Sequence, residues 1–283
     1  MIDVHNLSFT YPTASSAAID GMTFSIGQGE LFGFLGPSGA GKSTTQKILI
    51  GLLKNYSGTV TVGGKDLSAW GPAYYERIGV SFESPTHFLK LTALENLRYF
   101  RRLYARPTDS PEEVLSRVGL GDDGTMPVSQ FSKGMKNRLS VARSLLHRPE
   151  ILFLDEPTAG LDPVNSRVIR DLVRERRNAG TTVFLTTHDM AVASDLCDRV
   201  AFVVDGRIAT IDSPRALKLQ YGRAVVRVEY LGEQGQESRD FPLEGLGEND
   251  AFMDLLRTRE VQTIHTLEAS LDDVFIRVTG RQL

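Results

Sequence analysis

The sequence has few of the features that mark secreted, disulfide-bonded or membrane-spanning proteins. Among its 283 residues there is a single cysteine, Cys197, which excludes an intrachain disulfide and fits a reducing cytosol. Its longest apolar runs, 31–35 and 48–53, are much shorter than the ~20 residues that a membrane-spanning helix needs. The N-terminus has neither the basic start nor the long apolar core of a signal peptide. We therefore expect a protein that neither spans a membrane nor is secreted.

Charge of one sign is not concentrated in any long block either. Residues 214–283 carry 9 Lys and Arg against 12 Asp and Glu, and the residues before them carry 23 of each kind. A broad basic surface for nucleic acid is therefore not expected. The local exception is a group of four arginines at helical spacings: Arg98, Arg101, Arg102 and Arg106. Such a group is more typical of a solvated helix face, although a partner protein or lipid headgroups could use it.

The first third of the chain has the pattern of an α/β protein. Residues 2–10 and 22–26 alternate as strands do, and the almost wholly apolar run 30–35 is typical of a strand buried on both faces of a parallel sheet. A glycine-rich turn follows. Residues 42–53 then show apolar positions at helical spacing, so the order is strand, glycine loop, helix.

Further along, helical periodicity dominates between residues 85 and 149, and strands return afterwards. Helices are expected near 94–104, 111–118, 132–147 and 163–178. Strands are expected at 151–154, 182–186, 200–204 and 207–209, and residues 59–62, closed by Gly63 and Gly64, are expected to form a hairpin or a strand with its turn. The pattern indicates an α/β body that a helical insert interrupts.

The composition shifts again after residue 213. Helices are predicted at 214–221, 250–258 and 271–279, strands at 225–230 and 261–267, and a polar, glycine-rich loop at 232–237. A segment of this length can form a small α/β module, but one that is only marginally stable alone.

A phosphate-binding loop is the strongest chemical signal. Residues 36–43, Gly-Pro-Ser-Gly-Ala-Gly-Lys-Ser, fit the pattern G-x-x-x-x-G-K-[ST] between a buried strand and a periodic helix. Glycines let successive backbone N–H groups point at phosphate oxygens, and the helix directs its positive end at the same anion. Lys42 would meet the β- and γ-phosphates, and the Ser43 hydroxyl would bind magnesium.

Two carboxylates end the apolar strand at 151–154. Asp155 is expected beside the phosphate loop, where magnesium needs a negative oxygen ligand. Glu156 is then free to polarise the attacking water, as a general base or a water-orienting group. Together with the phosphate loop, this pair predicts a nucleoside triphosphatase.

The segment between these elements resembles a known family. Residues 130–136, Gln-Phe-Ser-Lys-Gly-Met-Lys, resemble the signature of ATP-binding cassette (ABC) ATPases, whose usual form is Leu-Ser-Gly-Gly-Gln. Ser132 and Gly134 match, whereas Lys133 and Met135 replace a glycine and the glutamine. Residues 157–162 are similar to the family's D-loop, and 186–189 to its switch-histidine segment.

The resemblance implies an α/β fold with two parts. The first, residues 1–213, would be a P-loop ABC ATPase domain with a mixed sheet core, an antiparallel β subdomain and a helical subdomain at about 85–149. The second, residues 214–283, would be a small accessory α/β module. The signature and the tail at 269–281 look like the bacterial drug and antibiotic exporter branch, of the daunorubicin or fluoroquinolone efflux type.

The resemblance also implies a site for ATP and Mg²⁺. Its catalytic residues would be Glu156, His188 and Lys42. ATP would be bound by Tyr11, which stacks on adenine, and by Gly36, Pro37, Ser38, Gly39, Ala40, Gly41, Lys42, Ser43 and Thr44, with Ser132 and Gly134 contributed by a second subunit. Magnesium would be held by Ser43, Asp155 and Glu83. Glu83 stands where the family normally has a glutamine, and we expect activity to be retained because the other key residues are present.

The partners implied are a second ATPase subunit in a homodimer and a separate integral membrane permease, with no nucleic acid. The chain would be cytoplasmic and peripheral on the inner face of the cell membrane through that permease. Residues 85–106 would face it. Two alternatives stay open on the sequence: a soluble ABC ATPase acting on DNA or ribosomes, and a regulatory protein that senses ATP without a transport role.

Overall fold

The computed structural model describes residues 1–222, 225–232, 235–267 and 269–281. The chain divides into two compact units, Met1–Ile211 and Asp212–Leu283. This division lies two residues before the boundary that the composition predicts, and each unit is described by itself below.

The first unit contains ten strands and six α-helices. The strands are β1 (Ile2–Phe9), β2 (Ile19–Ile26), β3 (Leu31–Leu35), β4 (Ser57–Val62), β5 (Lys65–Asp66), β6 (Ile78–Ser81), β7 (Ile151–Asp155), β8 (Thr182–Thr187), β9 (Arg199–Val204) and β10 (Arg207–Asp212). The helices are α1 (Lys42–Leu49), α2 (Ala93–Arg101), α3 (Pro111–Arg117), α4 (Lys133–Leu145), α5 (Pro163–Asn178) and α6 (Met190–Leu196). Helix α6 and strand β6 are elements that the sequence patterns did not predict.

A six-stranded central sheet runs in the order β10-β9-β3-β8-β7-β6. Strand β3 pairs in parallel with β8 and β9, and β7 pairs in parallel with β6 and β8. The Asp205–Gly206 turn is too short for a crossover, so β10 runs antiparallel to β9 and the sheet is mixed. Because β3, β7 and β8 are parallel, their carboxyl ends meet at one edge of this sheet, which is where α/β proteins place ligands.

A smaller antiparallel sheet, β2-β1-β4-β5, packs into the same apolar core as the central sheet. In β1 the side chains of Ile2, Val4, Leu7 and Phe9 are buried. They share this core with Phe32 and other side chains of β3. The mixed sheet and the antiparallel subdomain are therefore confirmed.

The helical insert contains α2, α3 and α4. Thr92 and Glu95 form a capping box at the start of α2, and the Ser110 and Ser132 hydroxyls cap α3 and α4. The predicted helices are confirmed, with ends that differ by a few residues. Helix α2 ends at Arg101, so the four arginines do not form one helical stripe: Arg98 pairs with Glu112 at 2.7 Å, and Arg106 pairs with Glu150 at 3.3 Å.

Helix α1 is shorter than its sequence pattern predicts. It ends at Leu49, and Gly51 turns the chain away with φ +76°. Leu52, which the helical spacing places on the buried face, is 57% exposed. The predicted end at residue 53 is therefore wrong, because the left-handed glycine ends the helix first.

The second unit contains α7 (Pro214–Tyr221), β11 (Val225–Gly232), β12 (Gly235–Pro242), α8 (Asp250–Thr258), β13 (Glu260–Leu267) and α9 (Leu271–Thr279). Its antiparallel sheet has the order β12-β11-β13 and packs on α8 through Val226, Val228, Phe241, Phe252 and Leu255. The three predicted helices have the predicted bounds.

Strand β12 begins at Gly235, so the second half of the predicted loop at 232–237 is strand. Gly232, the last residue of β11, pairs with Gly235, the first of β12; residues 233 and 234 lie outside the described residues. The sequence of β12 is polar, and Phe241 is its one buried side chain. Hydrogen bonding to β11, which the residue types do not reveal, makes it a strand.

Throughout the described ranges, no helix is long and apolar enough to cross a membrane.

Candidate functional site

The phosphate loop joins the carboxyl end of β3 to the first turn of α1. Gly41, at the N-terminal boundary of α1, has φ +103°, and a Cβ atom there would lie 2.6 Å from the Ala18 carbonyl oxygen. Only glycine fits both this backbone and this close approach. The loop, residues 36–44, therefore curls against the body while α1 directs its N-terminus at it.

The Lys42 ammonium lies within the loop. Its Nζ atom donates to the carbonyl oxygens of Gly36, at 2.7 Å, and of Pro37, at 3.0 Å. Burial lowers the pKa of Lys42, while the negative charges of Glu156, Asp155 and Glu83 act in the opposite direction. All three carboxylates that the sequence assigns to the site are thus close enough to Lys42 to raise its pKa.

Asp155 stands at the end of β7 beside the loop. Its Oδ1 atom is 3.4 Å from the Ser43 hydroxyl and accepts a hydrogen bond from Thr186. The residue is only 7% exposed. Two oxygen groups that can ligate a metal, the Asp155 carboxylate and the Ser43 hydroxyl, therefore lie next to each other.

Glu156 has a strained backbone and a fixed side chain. Its φ is +48°, in the left-handed region that non-glycine residues rarely adopt. Its Oε1 atom accepts from the His188 backbone N–H at 2.8 Å and lies 2.7 Å from His188 Nδ1, and Oε2 accepts from Thr187 at 2.9 Å. The Glu156 side chain is 9% exposed and that of His188 is 64% exposed, so a buried carboxylate orients an accessible imidazole.

Thr186 and Thr187 hold the two acids, a role that the sequence analysis missed. The register pairs Asp155 with Thr186, which brings the end of β8 beside the end of β7. The sequence does show two hydroxyl side chains at the end of a predicted strand, and this could have indicated hydrogen bonds to nearby polar groups. It does not show that β7 is the neighbour of β8, which is known only from the sheet topology.

The predicted signature residues lie at the start of α4. The Ser132 hydroxyl accepts from the Met135 backbone N–H at 3.2 Å and caps the helix. A Cβ atom on Gly134 would lie 3.1 Å from Leu161 Cδ2, so the signature segment contacts the segment that resembles a D-loop. Among the described residues, neither Ser132 nor Gly134 hydrogen-bonds to the phosphate loop of its own chain.

Asn137 connects these two segments further. Its Nδ2 atom donates to the carbonyl oxygens of Pro157, at 3.2 Å, and Ala159, at 3.3 Å. Asn137 is 4% exposed, and the sequence analysis did not single it out. Asn137 lies on the face of α4 that meets residues 157–159 because of how the helix packs, and no sequence motif indicates this position.

Tyr11 lies beside the far end of the phosphate loop. Its hydroxyl is 3.2 Å from the Thr44 hydroxyl, and its ring packs edge-on against Phe9 with the centroids 5.0 Å apart. The ring is half-buried. Stacking of this ring on adenine remains a prediction.

Glu83 follows β6 and is exposed. The loop after it is attached to α4: Arg143 donates to the Thr86 carbonyl at 2.8 Å, and His87 Nε2 lies 2.9 Å from the Lys136 carbonyl oxygen. The loop that carries Glu83 is therefore hydrogen-bonded to α4 at two points.

The donors present suit magnesium better than a softer metal. The described residues contain no cluster of three or more His, Cys, Asp or Glu that could hold a metal ion by itself. Ser43 and Asp155 offer hard oxygen donors, and magnesium commonly takes one or two protein oxygens together with phosphate oxygens and water. This donor set fits magnesium bound with a nucleotide.

Comparison with known protein families gives matches in both units. The ABC transporter family matches residues 19–159. A family described as the fluoroquinolone efflux ABC transporter C-terminal domain matches residues 224–268.

Curated relatives match over nearly the whole chain. A fluoroquinolones export ATP-binding protein of Mycobacterium tuberculosis is 58% identical over 284 residues, covering 100% of this chain and 94% of the relative. The daunorubicin/doxorubicin resistance ATP-binding protein of Streptomyces peucetius is 34% identical over 293 residues, covering 93% of this chain and 88% of the relative.

A solved structure of similar fold is an ATP-binding cassette dimer in a post-hydrolysis state, bound to ADP and Pi. It superimposes with a TM-score of 0.70 at 27% identity, covering 75% of this chain and 98% of that chain.

Proposed function

Because this chain belongs to the ATP-binding proteins of ABC transporters, we propose that it is the ATP-hydrolysing subunit of an exporter of fluoroquinolones or related drugs. It is an ATPase of this family. The observation that carries the drug assignment is the 58% identity, over the full chain, to a fluoroquinolones export ATP-binding protein. The family match at residues 224–268 supports it independently of the ATPase motifs.

In the proposed site, residues 36–44 bind the triphosphate and the Tyr11 ring stacks on adenine. Lys42 neutralises the β- and γ-phosphates; its ammonium already lies over the loop. Magnesium, held by Ser43, Asp155 and Glu83, would neutralise phosphate charge. Support for this set is the 3.4 Å separation of Ser43 and Asp155 and the electrostatic effect of Glu83 on Lys42.

Glu156 acts on the attacking water. The water forms a new P–O bond to the γ-phosphorus while the bond to the β–γ bridging oxygen breaks, and the carboxylate takes the proton that the water loses. Three hydrogen bonds from Thr187 and His188 fix the carboxylate in one orientation. Since His188 Nδ1 faces this carboxylate, its Nε2 is the nitrogen available to the γ-phosphate.

Two copies of the chain act together. In each site, Ser132 and Gly134 of the second copy face the γ-phosphate, with the N-terminus of α4 directed at the anion. Support comes from the exposed position of Ser132 and from the dimeric state of the cassette with a TM-score of 0.70.

The partner that crosses the membrane is a separate permease, which holds this chain at the inner face of the cell membrane. We assign the contact to the helical insert because Phe88, Leu89, Tyr99 and Leu103 are 44–62% exposed there. The Phe88 and Tyr99 rings pack edge-on at 4.9 Å, forming an apolar surface that a permease can cover.

The test is fluoroquinolone efflux in cells that contain the permease together with this chain or its Glu156→Gln variant. Efflux is expected only with the parent, at equal protein levels. ATP hydrolysis by the purified parent without fluoroquinolone efflux would leave the ATPase assignment standing and contradict the drug assignment.

A further inference from the structure

The backbone that follows β7 is held away from its preferred conformation. Glu156 has φ +48°, whereas a residue before a proline, here Pro157, favours extended backbone. Such a conformation persists only where surrounding contacts impose it. One of these contacts comes from β8, because the Glu156 backbone N–H donates to the Thr186 carbonyl oxygen at 2.9 Å.

Asn137 of α4 supplies the contacts on the other side. Its Nδ2 atom lies 3.5, 3.2 and 3.3 Å from the carbonyl oxygens of Glu156, Pro157 and Ala159. The Ala159 backbone N–H in turn donates to the Glu156 carbonyl oxygen at 3.1 Å and closes a turn. The Asn137 amide therefore holds the turn that begins at Glu156.

The Asn137 side chain serves as a donor. Its Oδ1 atom is buried and has no hydrogen-bonding partner among the described residues. Turning the amide over would set this oxygen against three carbonyl oxygens, so the NH₂ group has to face them. An unpaired buried oxygen costs stability, and asparagine is a poor residue for a helix interior. The stability of α4 therefore does not account for an asparagine here, whereas its N–H donors do.

Gly134 lets α4 approach closely enough for this contact. It lies one helical turn before Asn137 on the same face of α4. A Cβ atom on Gly134 would lie 3.1 Å from Leu161 Cδ2 and 3.4 Å from the Gly160 carbonyl oxygen. The start of α4 and residues 156–161 are thus packed directly against each other.

We propose that Asn137 is a positioning residue for Glu156, which it holds through the carbonyl groups of residues 156–159. By fixing the turn after Glu156, it keeps the carboxylate where Thr187 and His188 bind it and where it can accept the proton of the attacking water. This role rests on the one proposed for Glu156. Asn137 acts through Glu156 and the backbone beside it, not on the nucleotide.

The test compares kcat, ATP affinity and binding stoichiometry in the parent, in Asn137→Ala and in the matched control Ser144→Ala. Ser144 is another buried polar residue of α4, and its hydroxyl donates to the Val141 carbonyl oxygen of the same helix at 2.7 Å. Asn137→Ala should lower kcat by about 10- to 100-fold, because a misplacement of about 1 Å can cost 10²-fold in rate. Titration calorimetry should give the parent's ATP affinity and stoichiometry for both variants, and Ser144→Ala should also keep the parent's kcat.

The same substitution in a Glu156→Gln background separates positioning from a general loss of folding. Because Asn137 acts through the Glu156 carboxylate, Asn137→Ala should cost less than about twofold once that carboxylate is gone. A loss of folded protein would instead lower the rate equally in both backgrounds.

A kcat of Asn137→Ala within about twofold of the parent, or equal losses in the two backgrounds, would overturn the positioning role. If Asn137→Ala does not fold, Asn137→Asp is measured in the same way, because its ionised carboxylate keeps the shape and lacks the N–H donors. Glu156→Gln alone tests the general base. A fully active Glu156→Gln contradicts that assignment, whereas an inactive Glu156→Gln beside a fully active Asn137→Ala contradicts only the positioning role.

Discussion

The two units of the chain differ in where their polar side chains lie. In the first unit Lys42, Asp155 and Glu156 are each 7–8% exposed and are held by neighbouring groups at the edge of the sheet. In the second unit β12 has one buried side chain, Phe241, and β13 has none that is fully buried. A buried polar group requires a specific partner, so single substitutions should affect chemistry in the first unit and only local stability in the second.

The largest effect is expected from Glu156→Gln. Removing the carboxylate that accepts the water proton should lower the ATPase rate by about 10²–10⁴-fold while ATP binding is kept, because the amide has the same shape. With ATP and magnesium the variant should elute as a dimer in size-exclusion chromatography. A rate equal to that of the parent would show that Glu156 is not the general base.

Lys42→Ala is expected to come next. Loss of a charge-assisted contact to phosphate should weaken ATP binding about 10- to 150-fold in titration calorimetry. Lys47→Ala, in the last turn of the same helix, is the matched control and should bind as the parent does. Unchanged affinity in Lys42→Ala would contradict the phosphate-loop assignment.

Glu83 should have a smaller, graded effect. Glu83→Gln keeps an oxygen ligand and removes a charge, so we expect a modest rate change with a raised magnesium requirement. Glu83→Ala removes the oxygen and should be worse on both counts. ATPase rate against magnesium concentration compares the three proteins, and superimposed curves would mean that Glu83 does not face the metal.

A decrease in pH should destabilise the first unit through His147, which is buried, and His87, which is half-buried. Burial lowers the pKa of His87 to about 4 and lowers that of His147 as well, whereas an unfolded histidine titrates near pH ~6.5. The unfolded state therefore binds more protons between these values, and stability present above pH ~6.5 is lost as pH falls towards about 4.

The measurement is the melting temperature of the protein as a function of pH between about 7.5 and 4.5, a range that includes the ordinary histidine pKa of ~6.5. His87→Gln should flatten the dependence, and His265→Gln, at an exposed position of the second unit, should leave it unchanged. A parent whose stability is constant across this range would contradict the assignment.

The smallest effect on activity is expected from Phe241→Ala in the second unit. Phe241 packs edge-on against Phe252, with the ring centroids 5.3 Å apart. Its loss should destabilise that unit by about 3–5 kcal/mol, which hydrogen exchange of β11–β13 would report. The ATPase rate of the purified chain should stay within about twofold of the parent, since all the proposed site residues lie in the first unit and a twofold change is well under the 1.4 kcal/mol that makes a tenfold one. A large loss of ATPase activity would show that the two units depend on each other.

Local patterns alone predicted most of the helices and strands, whereas the mixed sheet and the antiparallel subdomain were implied by the family resemblance. The apolar periodicity and proline positions gave the bounds of α5, α7, α8 and α9 as the structure has them. They failed where the backbone of another segment decides the structure, as for polar β12, or where a left-handed glycine ends a helix, as after α1.

The sequence by itself determined the kind of reaction, hydrolysis of a nucleoside triphosphate. The phosphate loop, the Asp155–Glu156 pair and the signature segment each occupy one short continuous stretch of the chain, and each is specific in residue type. Only the tertiary structure decided how these groups are held. The pairing of β7 with β8 brings Thr186 and Thr187 to the two acids, and the packing of α4 places Asn137 against residues 157–159. These contacts join residues that are far apart in the chain. A buried polar group needs a hydrogen-bonding partner, and which group becomes that partner depends on the packing around it, which no local sequence pattern contains.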